Sequence, residues 1–538
     1  MVPRNNFLTD SDDILNAEKQ FYEQLYTSCE PDDCNLNDLL VDINATKLDT
    51  EAQMSCEGRL SIKECSSALR TMPNNKTPGS DGLPTEFYKF FFNDIITNLI
   101  DSFDFSFRNG KLSADQRRGI INLIPKPDKD PFFLKNWRPI SLLNTDYKLL
   151  TKCIANRLKI VLPDIIHSDQ TGFLPGRYIG ENVRLALDMI DYLNKNDLPG
   201  LMFLIDFRKA FDKIEWSFIL KSLTFFNFGP DLIKWVKVIY TDISSCVINN
   251  GNSSSFFNLG CGVRQGCPLS PLLYIICSEV LSLMIKNDKE INGIMVNNNI
   301  ITISTYADDT VLYLNDVSSL RKSIQILNRF QKYSGLEINL DKSELLALGS
   351  FRDNPPDVTD TGLIFCNNQV KLLGITFNAN LDNLIELNFV PKIEKLKTIL
   401  GIWSMRDMTP IGRISIIKSL GLSQMIYLLS VLPNPNDVFL KNLETIVYKF
   451  IWSNKPDKVS RKTLIAGYYD GGLNMMHIPS MIKGLKIAWV KRLLDVKNNG
   501  NWKCFYKREL AVFGGNLIWY CNLNPSDNSL KNIKNKFI

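Results

Sequence analysis

Two adjacent aspartates, Asp308 and Asp309, interrupt the β-branched and aromatic run ITISTYADDTVLYL (301–314). A third, Asp206, stands near the end of the apolar run LMFLIDF (201–207). Burying a lone carboxylate is costly, and a like charge beside it adds to the cost. A cation resolves the conflict. Three aspartates at strand ends form an oxygen-only ligand set, which suits Mg²⁺, an ion that takes carboxylates plus substrate phosphate oxygens. Two such ions about 3.5–4 Å apart are a common device for in-line phosphoryl transfer. An Ala-Asp-Asp turn is by itself a weak signal, because Asp is an ordinary turn residue.

These residues need a sheet to gather them. LMFLIDF reads as a strand buried on both faces, and 301–314 as two strands around a tight turn at Ala307–Asp309. Between them, NNGNSSSFFNLGCG (249–262) reads as loop and leads through VRQGCPLSP into the apolar helix PLLYIICSEVLSLMI (271–285). Pro268 and Pro271 suit that helix's first turn. From about Leu381 onward apolar residues recur at helical spacing, as in 411–430.

The chain has 538 residues, 45% hydrophobic and 22% charged. That is ordinary globular composition and excludes disordered, collagen-like and coiled-coil classes. The run 271–285 is shorter than a membrane span and contains Glu279, so no membrane partner is expected. The N-terminus lacks a secretory pattern, which predicts an intracellular protein of the cytoplasm or nucleus. Twelve cysteines without a CxxC pair, and two histidines, give neither a disulfide framework nor a zinc knuckle. The net charge of +5 is mild but uneven. Between Asp10 and Arg59 stand thirteen acids and three bases, with one amphipathic helix, ILNAEKQFYEQLY. This segment reads as a solvated extension, the sharper alternative being a cover for a basic groove. Between Lys483 and Arg508 stand eight bases and one acid, with Trp489 and Trp502.

An ordered set of blocks runs along some 300 residues: NKTPGSDGLPTEFYK (75–89), LIPKPDKD (123–130), NWRPISLLNTDYKLLTKCIANRLK (136–159), DQTGFLPGR (169–177), FLIDFRKAFDKI (203–214), GVRQGCPLSPLLY (262–274), TYADDTVLYL (305–314), SGLEINLDKSE (334–344) and LLGITF (372–377). In order and spacing the set resembles the reverse transcriptases of LINE-type (non-LTR) retrotransposons. The resemblance implies an α+β right-hand polymerase. Its expected divisions are an acidic extension at 1–59, fingers at 60–200, a palm at 201–378, and a helical basic thumb and C-terminal region at 379–538.

The resemblance also implies roles. Asp206, Asp308 and Asp309 match the family's metal-binding acids, with the backbone carbonyl of Phe207 helping to hold one of two Mg²⁺ ions, for which Mn²⁺ is a possible substitute. Asp309 is the more dispensable acid, since neighbours in a strand face opposite ways. Phe211 matches a steric gate against the 2′-hydroxyl, and Gln265 and Gly266 lie where the nascent base pair is held. Lys126 and Arg138 match a clamp on the incoming triphosphate, Lys342 a general acid for departing pyrophosphate, and Leu373–Gly374 a primer grip in which Gly374 permits a tight backbone approach. As bare residue types, Phe211 fits a core, Lys126 and Lys342 a solvated surface, and Gly266 a helix-entry loop. Asp212 sits where RNA-copying RNA polymerases carry a second acid for the 2′-hydroxyl, so it marks a rival reading. The basic C-terminal third would meet the duplex, where Trp can stack on bases, although helical Trp and Leu residues are more often core and only the bias of bases over 483–508 tips the reading toward contact.

The expected function is RNA-directed DNA synthesis, with an RNA template, a DNA primer or target and dNTP as partners. The alternative is a catalytically inactive relict that still binds nucleic acid. The blocks leave no room for the endonuclease such elements usually carry, so the sequence reads as a polymerase fragment that copies a primed template without nicking its target.

Overall fold

A computed structural model describes residues 8–29, 40, 43–127, 129–366, 369–511 and 515. Asp128 within the 123–130 block, and Cys34 and Cys521, lie outside the described residues. In chain order the elements that matter for the site begin with helix α1 (Ser11–Leu25). An antiparallel pair follows, β1 (Arg118–Pro125) and β2 (Trp137–Leu142), then helices α2 (Thr145–Ile165) and α3 (Gly180–Lys195). Next come β3 (Gly200–Ile205), β4 (Ser244–Asn249) and helix α4 (Ser270–Asn287). The hairpin β5 (Ile303–Tyr306) and β6 (Asp309–Leu314) precedes β7 (Glu344–Leu348). A second hairpin, β8 (Gln369–Leu372) and β9 (Ile375–Asn378), leads into α5 (Leu384–Ser404), α6 (Pro410–Val431), α7 (Asp437–Ile451) and α8 (Ile478–Leu494).

The central sheet has strand order β7-β3-β6-β5, all antiparallel. It explains why β3 is apolar at every position. Leu201, Phe203 and Ile205 face one core, and Met202 and Leu204 face another. Successive strand side chains point to opposite faces, so a sheet covered on both sides needs an unbroken apolar run. Truncating one such side chain, as in Phe203→Ala, costs about 3–5 kcal/mol. The first core holds α2, α4 and, unexpectedly, Tyr22 and Tyr26 at the C-terminal end of α1. The second holds α3, the β8–β9 hairpin and the C-terminal helices. A separate sheet joins β1 and β2 to β4.

Three sequence expectations change here. Within the acidic segment α1 is not a solvated extension, because it packs against β4 and its Tyr22 is fully buried. Trp489 and Trp502 are 4% and 1% exposed, so they are core rings rather than base-stacking platforms. Among the described residues the helix to be weighed as a membrane span is α6, where the sequence reading weighed the run 271–285. By length and composition alone α6 could cross a membrane, yet half of its most apolar window is buried, and it packs against α5, α7 and α8.

Candidate active site

Register carries the acids to one place. In the β3–β6 pairing Ile205 lies opposite Thr310, so Asp206 follows on one strand where Asp309 precedes on the other. Tyr306 pairs with Asp309, leaving Ala307 and Asp308 as a two-residue turn. Ala307 takes φ 57°, a region that favours glycine and costs an L-residue about 1–2 kcal/mol. The turn is braced from outside: Gln170 Oε1 accepts from the Ala307 N–H at 2.9 Å and the Gly172 N–H at 2.8 Å. Gly172 is packed so close that a Cβ would lie 2.7 Å from the Ala307 nitrogen. The block DQTGF thus shapes the turn that carries Asp308.

Asp206 is held from the other side. Asn339 Nδ2 donates to its Oδ2 at 2.8 Å, the Asn339 N–H donates to its carbonyl at 2.8 Å, and its own N–H donates to Ser343 Oγ at 3.1 Å. Phe207 forms an antiparallel bridge with Ile338, flanked by the bonds Arg208 N–H to Glu337 and Asn339 N–H to Asp206. In such a pair the bridged residue's carbonyl points away from its partner strand. The Phe207 carbonyl therefore faces the side of the sheet that bears the Ala307–Asp308 turn.

Around these acids opens a cleft of about 1020 Å³. Its walls include Asp206, Phe207, Asp308, Lys126, Arg138, Phe211, Gln265, Gly266 and Lys342. Asp309 does not line it but borders it electrostatically. Leu373 and Gly374 lie outside its walls, in the β8–β9 turn, where Tyr427 donates to the Leu373 carbonyl at 3.1 Å. Gly374 has φ 80° and open space where a Cβ would be. Its glycine answers a backbone conformation, with Leu373 also at positive φ, and not a close approach. Gly266 is the reverse case: a Cβ there would lie 2.6 Å from the Ser141 carbonyl oxygen.

The electrostatics fit a missing counter-charge on both sides. Burial, then Asp206, raises the Asp308 carboxyl above its usual range. Surrounding protein, then Asp308 and Asp206, pushes Asp309 up to about 6 although its side chain remains open to water. Opposite them, burial and the neighbouring Lys342 and Arg138 lower the Lys126 amine. Lys126 and Arg138 come from the β1–β2 hairpin, where Ile124 pairs with Arg138 and the Lys126 N–H donates to the Asn136 carbonyl at 2.8 Å. Among the described residues no three His, Cys, Asp or Glu side chains form a group that could hold a metal by themselves. Two cleft carboxylates with a backbone carbonyl leave coordination to be completed by a substrate, as divalent ions in phosphoryl-transfer sites allow.

Phe211 is half-buried and stacks on Tyr274 with centroids 4.5 Å apart, so the ring is a stiff wall of the cleft. Asp212 is only 1% exposed, and burial pushes its carboxyl up to about 6. It lines the cleft, and its Oδ1 accepts from Tyr26 Oη at 3.0 Å and from Gln265 Nε2 at 3.2 Å. Cys267 is buried and within reach of the Tyr147 hydroxyl, as expected of a small core side chain. Gln170, Asn339, Ser343 and Tyr26 were not singled out from the sequence. The first three lie in or beside the quoted blocks; Tyr26, in an acidic helix, carried no signal.

Residues 124–377 match the family described as reverse transcriptase (RNA-dependent DNA polymerase). The chain is 30% identical, over 92% of its length, to the "Transposon TX1 uncharacterized 149 kDa protein" of Xenopus laevis, of which it covers 38%. It is 25% identical to the "RNA-directed DNA polymerase from mobile element jockey" of Drosophila funebris, over 66% of this chain and 40% of that one. Against the "Retrovirus-related Pol polyprotein from type-2 retrotransposable element R2DM" of Drosophila melanogaster it is 24% identical, covering 70% and 35%. The chain thus spans about two fifths of the length of these curated relatives. A solved telomerase from Candida Tropicalis, in complex with a TWJ fragment of telomeric RNA, aligns at 15% identity over 79% of this chain and 68% of that one, with a TM-score of 0.40. Residues 124–377 thus form a reverse transcriptase domain of mixed α+β structure, and the relatives that the chain resembles over most of its length are proteins of transposable elements.

Proposed function

We propose that this chain is an RNA-directed DNA polymerase that extends a DNA primer on an RNA template with dNTP. One observation carries the reading: acids Asp206 and Asp308, cations Lys126, Arg138 and Lys342, and the ring of Phe211 all line one cleft. Asp206, Asp308 and the Phe207 carbonyl are the groups that would hold two Mg²⁺ ions, with Asp309 adding negative field. Bound there, such ions neutralise phosphate charge and lower the pKa of an attacking hydroxyl.

The chain's own residues do the rest. Lys126 and Arg138 grip the triphosphate, Arg through its planar fork. The primer 3′-oxygen attacks the α-phosphorus in line, the bond to the β-phosphate oxygen breaks, and pyrophosphate leaves. Lys342, exposed at the cleft's edge, is placed to give pyrophosphate a proton. Phe211, fixed against Tyr274, occupies the space a 2′-hydroxyl needs. Asp212 is already bonded to Tyr26 and Gln265, which favours a deoxynucleotide substrate over the rival reading as an RNA polymerase. Gln265 and Gly266 lie beside the base pair, and the β8–β9 turn supports the primer.

The test is primer extension on RNA with wild type and Asp308→Asn. Wild type should incorporate dNTP, and the variant should lose at least about 1,000-fold in kcat, the scale of removing a principal electrostatic group. Equal rates for the two proteins, or no incorporation by wild type, overturn the proposal.

A further inference from the structure

Helix α1 lies outside the matched block 124–377, yet it reaches the cleft: Phe21 and Leu25 are among the lining residues. Two bonds tie its end to the loop that carries Gln265. The Tyr26 carbonyl accepts from the Gly260 N–H at 2.8 Å and the Cys261 N–H at 3.2 Å, and the Tyr26 hydroxyl donates to Asp212 Oδ1 at 3.0 Å. Asp212 in turn accepts from the Gln265 side chain at 3.2 and 3.4 Å. The Gln265 backbone is fixed separately, by the Ser141 N–H donating to its carbonyl at 2.8 Å. Only the side chain depends on Asp212, and Asp212 depends on Tyr26. The Val263 N–H also donates to the Phe211 carbonyl at 2.7 Å, so the same loop is bonded to the backbone of the residue whose ring faces the sugar.

We propose that Tyr26 is a positioning residue for the incoming nucleotide, acting through Asp212 on Gln265. This rests on the polymerase reading above. Without the hydroxyl, buried Asp212 loses a donor and draws on Gln265 more strongly or turns away from it. Either change moves the amide that faces the nascent pair. Metal ligands and triphosphate cations are untouched, so nucleotide affinity and sugar choice suffer while turnover at saturation holds. Tyr22 supplies an internal control. It is one turn away on the same helix, fully buried, and its hydroxyl has no partner among the described residues.

The experiment compares the full chain with Tyr26→Phe and Tyr22→Phe. The first readout is equilibrium dNTP binding to a complex of RNA template and dideoxy-terminated DNA primer, which needs no turnover. The second is KM, kcat and the dNTP-to-rNTP ratio on an extendable primer. Tyr26→Phe should weaken binding and raise KM about tenfold, the low end of the loss expected for one buried hydrogen bond to a charged group because the effect passes through Asp212 and Gln265. Its kcat should stay within about twofold and its preference for dNTP should fall, while Tyr22→Phe should match wild type on every readout. Binding by Tyr26→Phe equal to wild type overturns the inference, as do equal losses in both variants accompanied by equal falls in Tm. Should Tyr26→Phe fail to fold, Asp212→Asn takes its place, with the same expected split between KM and kcat. If wild type fails to extend primers, the polymerase reading falls, and the binding comparison still decides the role of Tyr26.

Discussion

Two groups of cations in this molecule look alike as sequence and differ as structure. In the cleft, Lys126, Arg138 and Lys342 converge, and burial together with the other two lowers the Lys126 amine. In the C-terminal segment three of the eight bases, Lys486, Arg492 and Lys503, are taken up by internal partners. The Lys486 ammonium donates to the Leu432 carbonyl at 2.5 Å and is pulled down to about 7 by burial. Arg492 pairs with Glu181 at 3.4 Å, and Lys503 donates to the Asp495 carbonyl at 2.7 Å. Local charge density counts residues; whether a charge is available depends on partners that arrive from far along the chain. The cleft cations converge on open space, with one 3.3 Å bond from Lys126 Nζ to the Lys135 carbonyl, whereas the C-terminal segment spends several of its own on packing against α3 and α6.

The largest effect expected within this contrast comes from a neutral residue. Asn339→Ala removes the amide that orients Asp206, and loss of such an outer contact typically costs about 10- to 100-fold in metal affinity. Titrating Mg²⁺ in primer extension should show that rise in the half-saturating concentration; an unchanged titration would mean that Asp206 is positioned without Asn339. A smaller effect separates the two groups of cations directly. Lys126→Ala should raise KM for dNTP about tenfold, the scale of one charge-assisted contact. Lys486→Met should leave KM unchanged and alter Tm. If Lys486→Met shifts KM as much as Lys126→Ala does, the contrast is broken.

The smallest effect is in pH dependence. The folded pKa of Asp309, about 6, lies above the ordinary value of about 3.9. The metal-free fold therefore holds more protons than the unfolded chain across that window, and this carboxyl subtracts stability as pH rises through it. Because the carboxyl is open to water, the change should be modest, about 2 °C in Tm. A bound divalent ion offsets the repulsion, so the Tm gain from Mg²⁺ should grow between pH 5 and pH 7. A gain that is flat or shrinks over this range would place the ion away from Asp309.

What could be read from the sequence follows the same physics. Asp206 and Asp308–Asp309 were legible because acids inside apolar runs contradict their surroundings. The two-faced burial of β3 was legible because no polar residue breaks 200–205. Asn339 and Gln170 were not, since a neutral amide contradicts nothing locally and its partners, Asp206 and Ala307, are 133 and 137 residues away. Trp489 and Trp502 were misread because alternating rings and bases do not say which face turns inward. At Gly374 a close approach was expected, and the structure instead has positive φ with open space where a Cβ would be.

A catalytic centre trimmed to begin at Ala45 would keep every block that the sequence resemblance quotes, and with them the carbonyls of residues 56–59 that hold buried Arg157. It would also strip α1 from the flank of β4 and leave Asp212 without its phenol donor. Such a shortened enzyme should still join nucleotides and do so with poor taste, accepting more ribose and needing more substrate. The first turns of this polypeptide behave less as a leader to the polymerase than as one of its walls.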